Sequence, residues 1–324
     1  MASRSDSRRY VPPEWRTVES PVEETLYGVV TTASGPVAVG ESGRVVVRTN
    51  GEWTLAIPAG ASAQYKELTD VAVTDDGERV WFAGGSGALG YYDVEPGRKT
   101  DYTAPMEKTT SWSAIAVTGT KDDETVVVAN SSGEILSATL VEADGDDLPF
   151  DWVDVVDVDS MGKPDWDEVV KPHTGARIEA AAFDANAICY AVDTSGNAFA
   201  RAFGREGSEW RRVGIRNAQV DFYDIYAGPD TVMVAGEDGL VFRYDPPIDN
   251  WTPIRVGEEA VYAVDRRGSE LVAVGESGRI YQRLPRRSWQ PLDSPTEADL
   301  RDACVGDVDA AVGAGGTIIE RTWQ

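Results

Sequence analysis

The amino-acid sequence predicts an all-β fold, and within that class a seven-bladed β-propeller with four antiparallel strands in each blade. Three observations favour this fold. A four-residue turn that closes on glycine occurs seven times, each copy lies between two apolar runs, and the copies are about one propeller blade apart. The closing glycines are separated by 44, 46, 63, 43, 39 and 38 residues. They are Gly43, Gly87, Gly133, Gly196, Gly239, Gly278 and Gly316.

The turns consist of residues that tolerate a positive φ. In the first copy, Gly40–Gly43 follows the apolar run Val37–Val39 and precedes Val45–Arg48. The opening residue of each copy is Gly, Asn or Asp, the residue types that adopt the left-handed conformation at the lowest cost. An apolar run, such a turn and a second apolar run together predict a β-hairpin.

The first full repeat contains four predicted strands, A to D, at Leu26–Thr31, Pro36–Val39, Arg44–Thr49 and Glu52–Leu55. Later copies repeat strand A at Leu68–Val73, Trp112–Val117, Ile178–Phe183, Phe222–Tyr226, Ala260–Val264 and Leu300–Val305. They repeat the aromatic residue of strand D as Tyr102, Trp166, Trp210, Trp251 and Trp289, after Trp53 in the first copy. We interpret these aromatic residues as core side chains between blades, outside any binding site.

The two ends of the sequence complement each other. The seventh copy stops at Gln324, before a strand D of its own, whereas Glu14–Val18 near the start reads as a strand D without a blade. Adding this strand to the last blade closes the ring and removes a free sheet edge. The sequence therefore predicts one propeller domain over residues 13–324, preceded by a flexible arm over residues 1–12.

The long spacing of 63 residues predicts an insertion in the third blade, at about residues 142–163. Pro164, Asp165 and Trp166 resemble Pro13, Glu14 and Trp15, which assigns Trp166 to strand D. Residues 150–157 alternate well enough to form an additional strand. Trp152 within them is the alternative strand-D aromatic residue.

The composition is strongly acidic, with 55 Asp and Glu against 30 Lys and Arg and a net charge of −25. With few lysines, this balance indicates a halophilic protein whose charge repulsion is screened in concentrated salt; a basic partner is the alternative. Nucleic-acid binding is not expected. Neither a membrane-spanning run nor a signal peptide is present, so we expect no membrane insertion and a cytoplasmic location, or a particle assembled in the cytoplasm.

The repeat Ala-Val-Gly-x-Ser-Gly-x-Val/Ile, followed by Trp, resembles the BNR/Asp-box-like propellers and related WD/YVTN-like repeats. Within the BNR group it resembles the photosystem II stability/assembly factors. Thr49–Thr54 is the nearest match to their degenerate Asp box. The resemblance covers about residues 15–324. It implies the propeller fold, but not one activity, because the same repeat is found in sialidases, lectin-like modules and assembly chaperones.

The sequence contains little that could carry catalysis or bind a cofactor. His173 is the single histidine, which excludes a multi-histidine metal site. Acidic clusters at residues 122–124, 144–147 and 157–159 lack a full calcium-ligand pattern, so solvated loops are the simpler interpretation. We expect no cofactor, no metal and no enzymatic activity.

The candidate site is the propeller face that carries the D–A connections and the B–C turns. Aromatic residues and arginines in a polar rim are typical of surfaces that bind proteins or ligands. The candidate binding residues are Tyr65, Lys66, Trp112, His173, Arg177, Arg216, Asn217, Glu259, Asp299 and Arg301. Alternatively, these loops are merely polar, and Trp112 and Tyr65 pack against neighbouring blades.

The sequence therefore predicts a non-catalytic scaffold that binds protein partners, as an assembly factor or a component of a larger complex or virion. The second candidate is a propeller that binds or hydrolyses carbohydrate. It requires an open, aromatic-lined pocket and convergent arginines, for which Arg177, Arg216 and Arg301 are placed near the starts of three A strands.

Overall fold

The computed structural model describes residues 14–140, 150–157, 176–205, 209–214 and 218–322. These residues form seven four-stranded antiparallel sheets, which confirms the predicted seven-bladed β-propeller. In each blade the strands are named A to D from the centre of the ring outward.

The described residues form 28 strands with the following bounds. The closing strand is β1 (Arg16–Thr17). Blade 1 comprises β2 (Leu26–Thr32), β3 (Gly35–Gly40), β4 (Val45–Thr49) and β5 (Glu52–Ile57). Blade 2 comprises β6 (Leu68–Val73), β7 (Arg79–Gly84), β8 (Leu89–Asp93) and β9 (Arg98–Asp101). Blade 3 comprises β10 (Trp112–Thr120), β11 (Asp123–Asn130), β12 (Glu134–Leu140) and β13 (Phe150–Asp157).

The second half of the ring follows the same order. Blade 4 comprises β14 (Ile178–Phe183), β15 (Ile188–Asp193), β16 (Ala198–Ala202) and β17 (Arg211–Arg212). Blade 5 comprises β18 (Phe222–Ala227), β19 (Val232–Gly236), β20 (Leu240–Asp245) and β21 (Asn250–Arg255). Blade 6 comprises β22 (Val261–Arg267), β23 (Glu270–Gly275), β24 (Ile280–Arg283) and β25 (Gln290–Leu292). Blade 7 comprises β26 (Leu300–Cys304), β27 (Val308–Gly313), β28 (Ile318–Thr322) and β1.

The seven A strands surround a central channel, because each contacts the A strands of the blades before and after it. The hydrophobic core is divided among the interfaces between neighbouring blades, and each of the seven interfaces has its own buried cluster. The strand-D tryptophans Trp53, Trp210, Trp251 and Trp289 are buried in these clusters, which confirms that they are core residues.

The ring closes as the ends of the sequence predict. β1 pairs with β28, with Arg16 opposite Glu320, and the Val18 amide donates a hydrogen bond to the Ile318 carbonyl over 3.1 Å. Trp15 is 5% exposed and packs in the core between blades 6 and 7. The predicted arm, residues 1–12, lies outside the described residues.

The closing glycine of each B–C turn adopts a positive φ, as predicted. The seven φ values are 69° at Gly43, 75° at Gly87, 80° at Gly133, 73° at Gly196, 64° at Gly239, 70° at Gly278 and 68° at Gly316. The left-handed conformation favours glycine at all seven positions.

The opening residue of the turn is not left-handed, so that part of the prediction is wrong. Gly40 has a φ of −172°, which is ordinary extended backbone. Glycine is required here because the chain that leads into strand A passes very close. A Cβ atom on Gly40 would lie 2.2 Å from the Thr25 carbonyl oxygen and 2.8 Å from the Leu26 Cα.

Blades 3 and 4 open the turn with a polar side chain instead. The Asn130 Oδ1 accepts hydrogen bonds from the Ser132 amide at 2.9 Å and the Glu134 amide at 3.0 Å. Asp193 accepts from the Ser195 amide at 2.9 Å in the same way. These side chains satisfy turn amides that would otherwise require water.

The structure corrects the assignment of strand D in blade 3. Phe150–Asp157 pairs with β12 as the fourth strand, with Trp152 opposite Ala138, so the assignment to Trp166 is wrong and the alternative with Trp152 is right. The strand lies inside the predicted insertion, residues 142–163, and the rest of that segment is outside the described residues. The likeness of residues 164–166 to residues 13–15 therefore does not mark the fourth strand of this blade.

Candidate functional site

Every A strand contains a β-bulge at its second residue. The first residue pairs with the last residue of strand B, the second is skipped, and pairing resumes at the third. The skipped residues are Tyr27, Thr69, Ser113, Glu179, Tyr223, Tyr262 and Arg301. A bulge re-aims a side chain and is common next to functional sites. Here seven bulges form one ring at the start of the A strands.

These seven side chains line a cavity of about 350 Å³ at the end of the channel where the D–A connections and B–C turns lie. We name this cavity the funnel. Its lining residues are Tyr27, Glu67, Thr69, Asp70, Ser113, Arg177, Glu179, Ala180, Tyr223, Asp224, Tyr262, Ala263, Arg301 and Asp302. A second cavity of about 360 Å³, lined mainly by the apolar ends of the A strands, continues to the opposite face and shares Asp70, Asp224 and Asp302 with the funnel.

Glutamates of the B–C turns hold two of the funnel tyrosines. The Tyr27 hydroxyl donates to Glu41 Oε1 at 3.1 Å, while the Thr25 amide donates to Glu41 Oε2 at 3.0 Å. In blade 5, the Tyr223 hydroxyl donates to Glu237 at 3.3 Å. Burial and the Glu41 carboxylate together raise the pKa of Tyr27 to about 12, so this ring carries a neutral hydroxyl at neutral pH.

Each arginine of the funnel is paired with a carboxylate. Arg177 lies 2.7 Å from Glu179 Oε2, and Arg301 lies 3.1 Å from Asp299 Oδ2. The Arg301 guanidinium carbon also lies 4.6 Å from the centre of the Tyr262 ring, a cation–π contact. Tyr262 in turn packs edge-to-face against Tyr223 with ring centres 5.2 Å apart. Tyr223, Tyr262 and Arg301 therefore form one continuous wall.

Three aspartates from the third position of strand A form the floor of the funnel. Asp70 accepts hydrogen bonds from the Val71 amide at 2.8 Å and the Ile115 amide at 2.7 Å, which links blades 2 and 3. Asp224 and Asp302 link their blades to the next in the same way. Burial raises the pKa of Asp70 to about 8 and that of Asp224 to about 6, and it also raises the pKa of Asp302.

Of the residues that the sequence suggested for this face, Arg177 and Arg301 line the funnel, and Asp299 contacts it through its ion pair with Arg301. Asp299 also accepts a hydrogen bond from the Ser277 amide of the neighbouring B–C turn at 2.9 Å. These three residues are thus brought together with the bulge residues.

Other suggested residues lie on the rim or away from the funnel. Tyr65 is 65% exposed, and Lys66 follows it in the same D–A connection; neither lines the funnel. Glu259 forms an ion pair of 2.8 Å with Arg279, outside the funnel. His173, Arg216 and Asn217 lie outside the described residues.

Trp112 is not part of the accessible surface, so its selection as a binding residue is corrected. It is 1% exposed and packs in the cluster between blades 2 and 3, with Trp81 and Leu136. The first residue of every A strand is buried in this way, and the following residue, here Ser113, faces the channel.

Sequence reasoning missed most of the funnel, although a signal was present. Aligning the A strands by their first buried residue gives one column of bulge residues and a next column that contains Gly, Ala or Asp. Tyr27, Tyr223 and Tyr262 stand in the first column, and Asp70 and Asp224 in the second. A Tyr-rich column beside a small or acidic one is unusual for a buried strand, and it marks the positions that face the channel.

The described residues hold no group of three or more His, Cys, Asp or Glu side chains that is placed to bind a metal. In the same part of the chain, no helix is long and apolar enough to cross a membrane. The funnel lining offers aromatic surface, hydrogen-bonding groups, two arginines and several carboxyl groups.

Comparison with known proteins supports the fold. No protein-family model and no curated protein matches the sequence. Among solved structures, "YCF48 from Cyanidioschyzon merolae" has a TM-score of 0.70 at 15% identity and covers 95% of this chain and 98% of its own. "YCF48 bound to D1 peptide" has a TM-score of 0.70 at 13% identity and covers 97% and 98%. A chain of the "Crystal Structure of Mitotic Checkpoint Complex" has a TM-score of 0.69 at 10% identity and covers 100% and 99%.

At these identities the likeness establishes the fold and no more. This chain shares its propeller fold with YCF48 and with a chain of the mitotic checkpoint complex.

Proposed function

We propose that this protein is a non-catalytic interaction propeller that holds a segment of a partner protein in the funnel. The observation that carries the proposal is the ring of seven bulges, which directs seven side chains into one cavity at the centre of a rigid frame. The partner would belong to a larger complex, an assembly intermediate or a particle.

The composition of the funnel wall suits recognition of a protein segment. Tyrosine and arginine are the residues that most often dominate binding energy at interfaces, and Tyr27, Tyr223, Tyr262 and Arg301 meet here. Because the ring is closed and Glu41 and Glu237 hold two of the tyrosine hydroxyls, little ordering entropy would be lost on binding.

The comparisons support the same class of function. One similar structure is described as bound to a peptide and another as part of a multiprotein complex. Rings of this architecture thus serve as protein-binding platforms in unrelated settings.

A glycan-binding propeller is the second candidate, because the funnel combines tyrosines with two of the three arginines that such a site requires. Both arginines, however, are already paired with carboxylates, and three aspartates lie beneath them. An acidic sugar would therefore find neither arginine without a carboxylate partner, so we rank protein binding first.

The test compares affinity purifications from source cells with tagged wild-type protein, the Tyr223→Ala/Tyr262→Ala variant and a control, Ile248→Ala. Ile248 is 68% exposed in a C–D connection on the opposite face. We expect a protein partner with the wild type and the control, and affinity for the purified partner about tenfold or more weaker with the double variant.

Two outcomes would reject the proposal. In one, the partner binds the double variant as tightly as the wild type. In the other, no protein is recovered while a glycan array gives a signal that the double substitution abolishes, which would favour the second candidate.

A further inference from the structure

The acidic groups of the funnel outnumber its arginines. Arg177 and Arg301 are matched by Glu179 and Asp299. Four other carboxylates line or floor the cavity, and in the described part of the chain none of them forms an ion pair. They are Glu67, Asp70, Asp224 and Asp302.

The floor carboxylates are held in a fixed direction. Asp70, Asp224 and Asp302 each accept one amide of their own blade and one of the next blade at 2.7 to 2.8 Å. They come from blades 2, 5 and 7, so they approach the channel axis from different sides. Desolvation favours the protonated form of these carboxyls, and a cation that enters the cavity would favour the charged form and displace the proton.

The aromatic wall already accepts a guanidinium group. Arg301 lies against the Tyr262 ring at 4.6 Å, and Tyr223 continues the wall. Tyr27 lies on another blade of the same cavity. An aromatic wall above a ring of carboxylates is the environment that a second cationic side chain would require.

We propose that the funnel binds an arginine or lysine side chain, presented by an extended segment of the partner protein. This inference rests on the proposed function and names the chemistry of its ligand. A cavity of about 350 Å³ is at the lower end of the roughly 300–1,000 Å³ of ligand pockets, which suits one long side chain. The cationic head meets the aspartates, while its aliphatic stem packs against the tyrosines.

The test uses short acetylated and amidated Gly/Ser peptides that carry one central residue and an uncharged dye, with binding measured by fluorescence anisotropy at fixed salt. The central residue is arginine, lysine, citrulline or glutamate. We expect saturable binding of the two cationic peptides and affinity about tenfold or more weaker for citrulline, which has the shape of arginine without its charge. Equal binding of the arginine and citrulline peptides, or no saturable binding of the arginine peptide, would overturn the proposal.

Variants locate the site. The double variant Asp224→Asn/Asp302→Asn is expected to lower the affinity for the arginine peptide about tenfold. Because these two groups link neighbouring blades, Glu67→Gln serves as a second variant at an exposed funnel position, with a smaller loss of affinity expected. The control is Glu259→Gln, which removes a carboxylate of the same face outside the funnel and should leave binding unchanged. A folded Asp224→Asn/Asp302→Asn protein with wild-type affinity would contradict the proposal.

Two further results distinguish a failure of this inference from a failure of the proposed protein-binding function. If arginine amide alone binds as tightly as the peptide, the site takes a small cation and the assignment to a protein segment fails. If the cellular partner is lost with Tyr223→Ala/Tyr262→Ala but kept with Asp224→Asn/Asp302→Asn, the funnel binds the partner without a cation. In that case only the present inference falls.

Discussion

At the scale of single residues, the turns show how one backbone contact selects an amino acid. Gly40, Gly84, Gly275 and Gly313 all open a B–C turn in extended conformation, and in each a Cβ atom would lie about 2 Å from a carbonyl oxygen of the chain entering strand A. The repeat of glycine was readable in the sequence. The cause of the repeat could not be read from the sequence, because the close contact joins the turn glycine to a carbonyl group about 15 residues away.

Blade 2 allows a matched test of this contact, because two glycines are adjacent in its turn. A Cβ atom on Gly84 would lie 2.0 Å from the Glu67 carbonyl oxygen, whereas one on Gly85 would meet only the flexible Glu67 side chain at 3.1 Å. We expect Gly84→Ala to lower the free energy of unfolding by about 2–3 kcal/mol and Gly85→Ala by less than about 1 kcal/mol. Urea denaturation measures both, and equal losses would contradict the explanation.

Asp70 predicts a specific pH dependence of stability. Burial raises the pKa of its carboxyl from 3.8 to about 8, and the neighbouring Asp224 and Glu179 carboxylates act in the same direction. The folded state therefore binds a proton more tightly than the unfolded state. The resulting stabilisation is complete below the unfolded pKa and is lost as pH rises towards about 8.

We expect the wild type to lose stability relative to Asp70→Asn between about pH 5 and pH 8. Urea denaturation of both proteins at several pH values and one salt concentration measures the difference. Parallel stability curves would show that Asp70 does not titrate in this range.

At the scale of elements, the blades were predictable and the bulges were not. Apolar runs around a glycine turn identify strands B and C in all seven copies, and the position of Trp15 identified the closing strand. A bulge shifts pairing by one residue without changing composition, so the alternation of apolar residues showed that the A strands exist but not which side chains face the channel; only the comparison of all seven A strands reveals the Tyr-rich column. For that reason Trp112 was chosen instead of Ser113, and Tyr27, Tyr223 and Tyr262 were missed.

The closing strand β1 is expected to stabilise the folded ring mainly through the neighbouring Trp15 side chain. Its ring is buried with Leu300 and Ile319, and the Arg321 guanidinium lies 5.1 Å from its centre. We expect Trp15→Ala to lower the free energy of unfolding by about 3–5 kcal/mol, because it leaves a cavity at the interface of blades 6 and 7.

The adjacent Arg16 is exposed, so Arg16→Ala is the control and should change stability by less than about 0.5 kcal/mol. Thermal melts with size-exclusion chromatography measure stability and oligomers together. Removal of residues 1–20 should lower the melting temperature further and promote oligomers through the exposed edge of β28. A truncated monomer that melts as the wild type does would refute the role given to this strand.

At the scale of the whole molecule, charge and shape have separate origins. The packing of seven blade interfaces determines the ring, whereas the net charge of −25 arises from the excess of Asp and Glu over Lys and Arg. We propose that this acidic surface is an adaptation to concentrated salt, as the composition suggested.

Salt dependence tests this proposal directly. Between 0.1 M and 1 M salt the Debye length falls from about 10 Å to about 3 Å, which screens repulsion between surface carboxylates. We expect the melting temperature to rise steeply with KCl over this interval, and to rise less in sucrose of equal osmolality. A melting temperature that KCl leaves unchanged would exclude the adaptation.

The pairing of β1 with β28 also has a consequence for biosynthesis. Arg16 leaves the ribosome long before Glu320, its partner in the sheet. At roughly 5–20 residues per second, the first strand waits about 15 to 60 s for its neighbour. During translation the nascent chain is thus an open arc of finished blades, and the synthesis of β28 converts it into a circle.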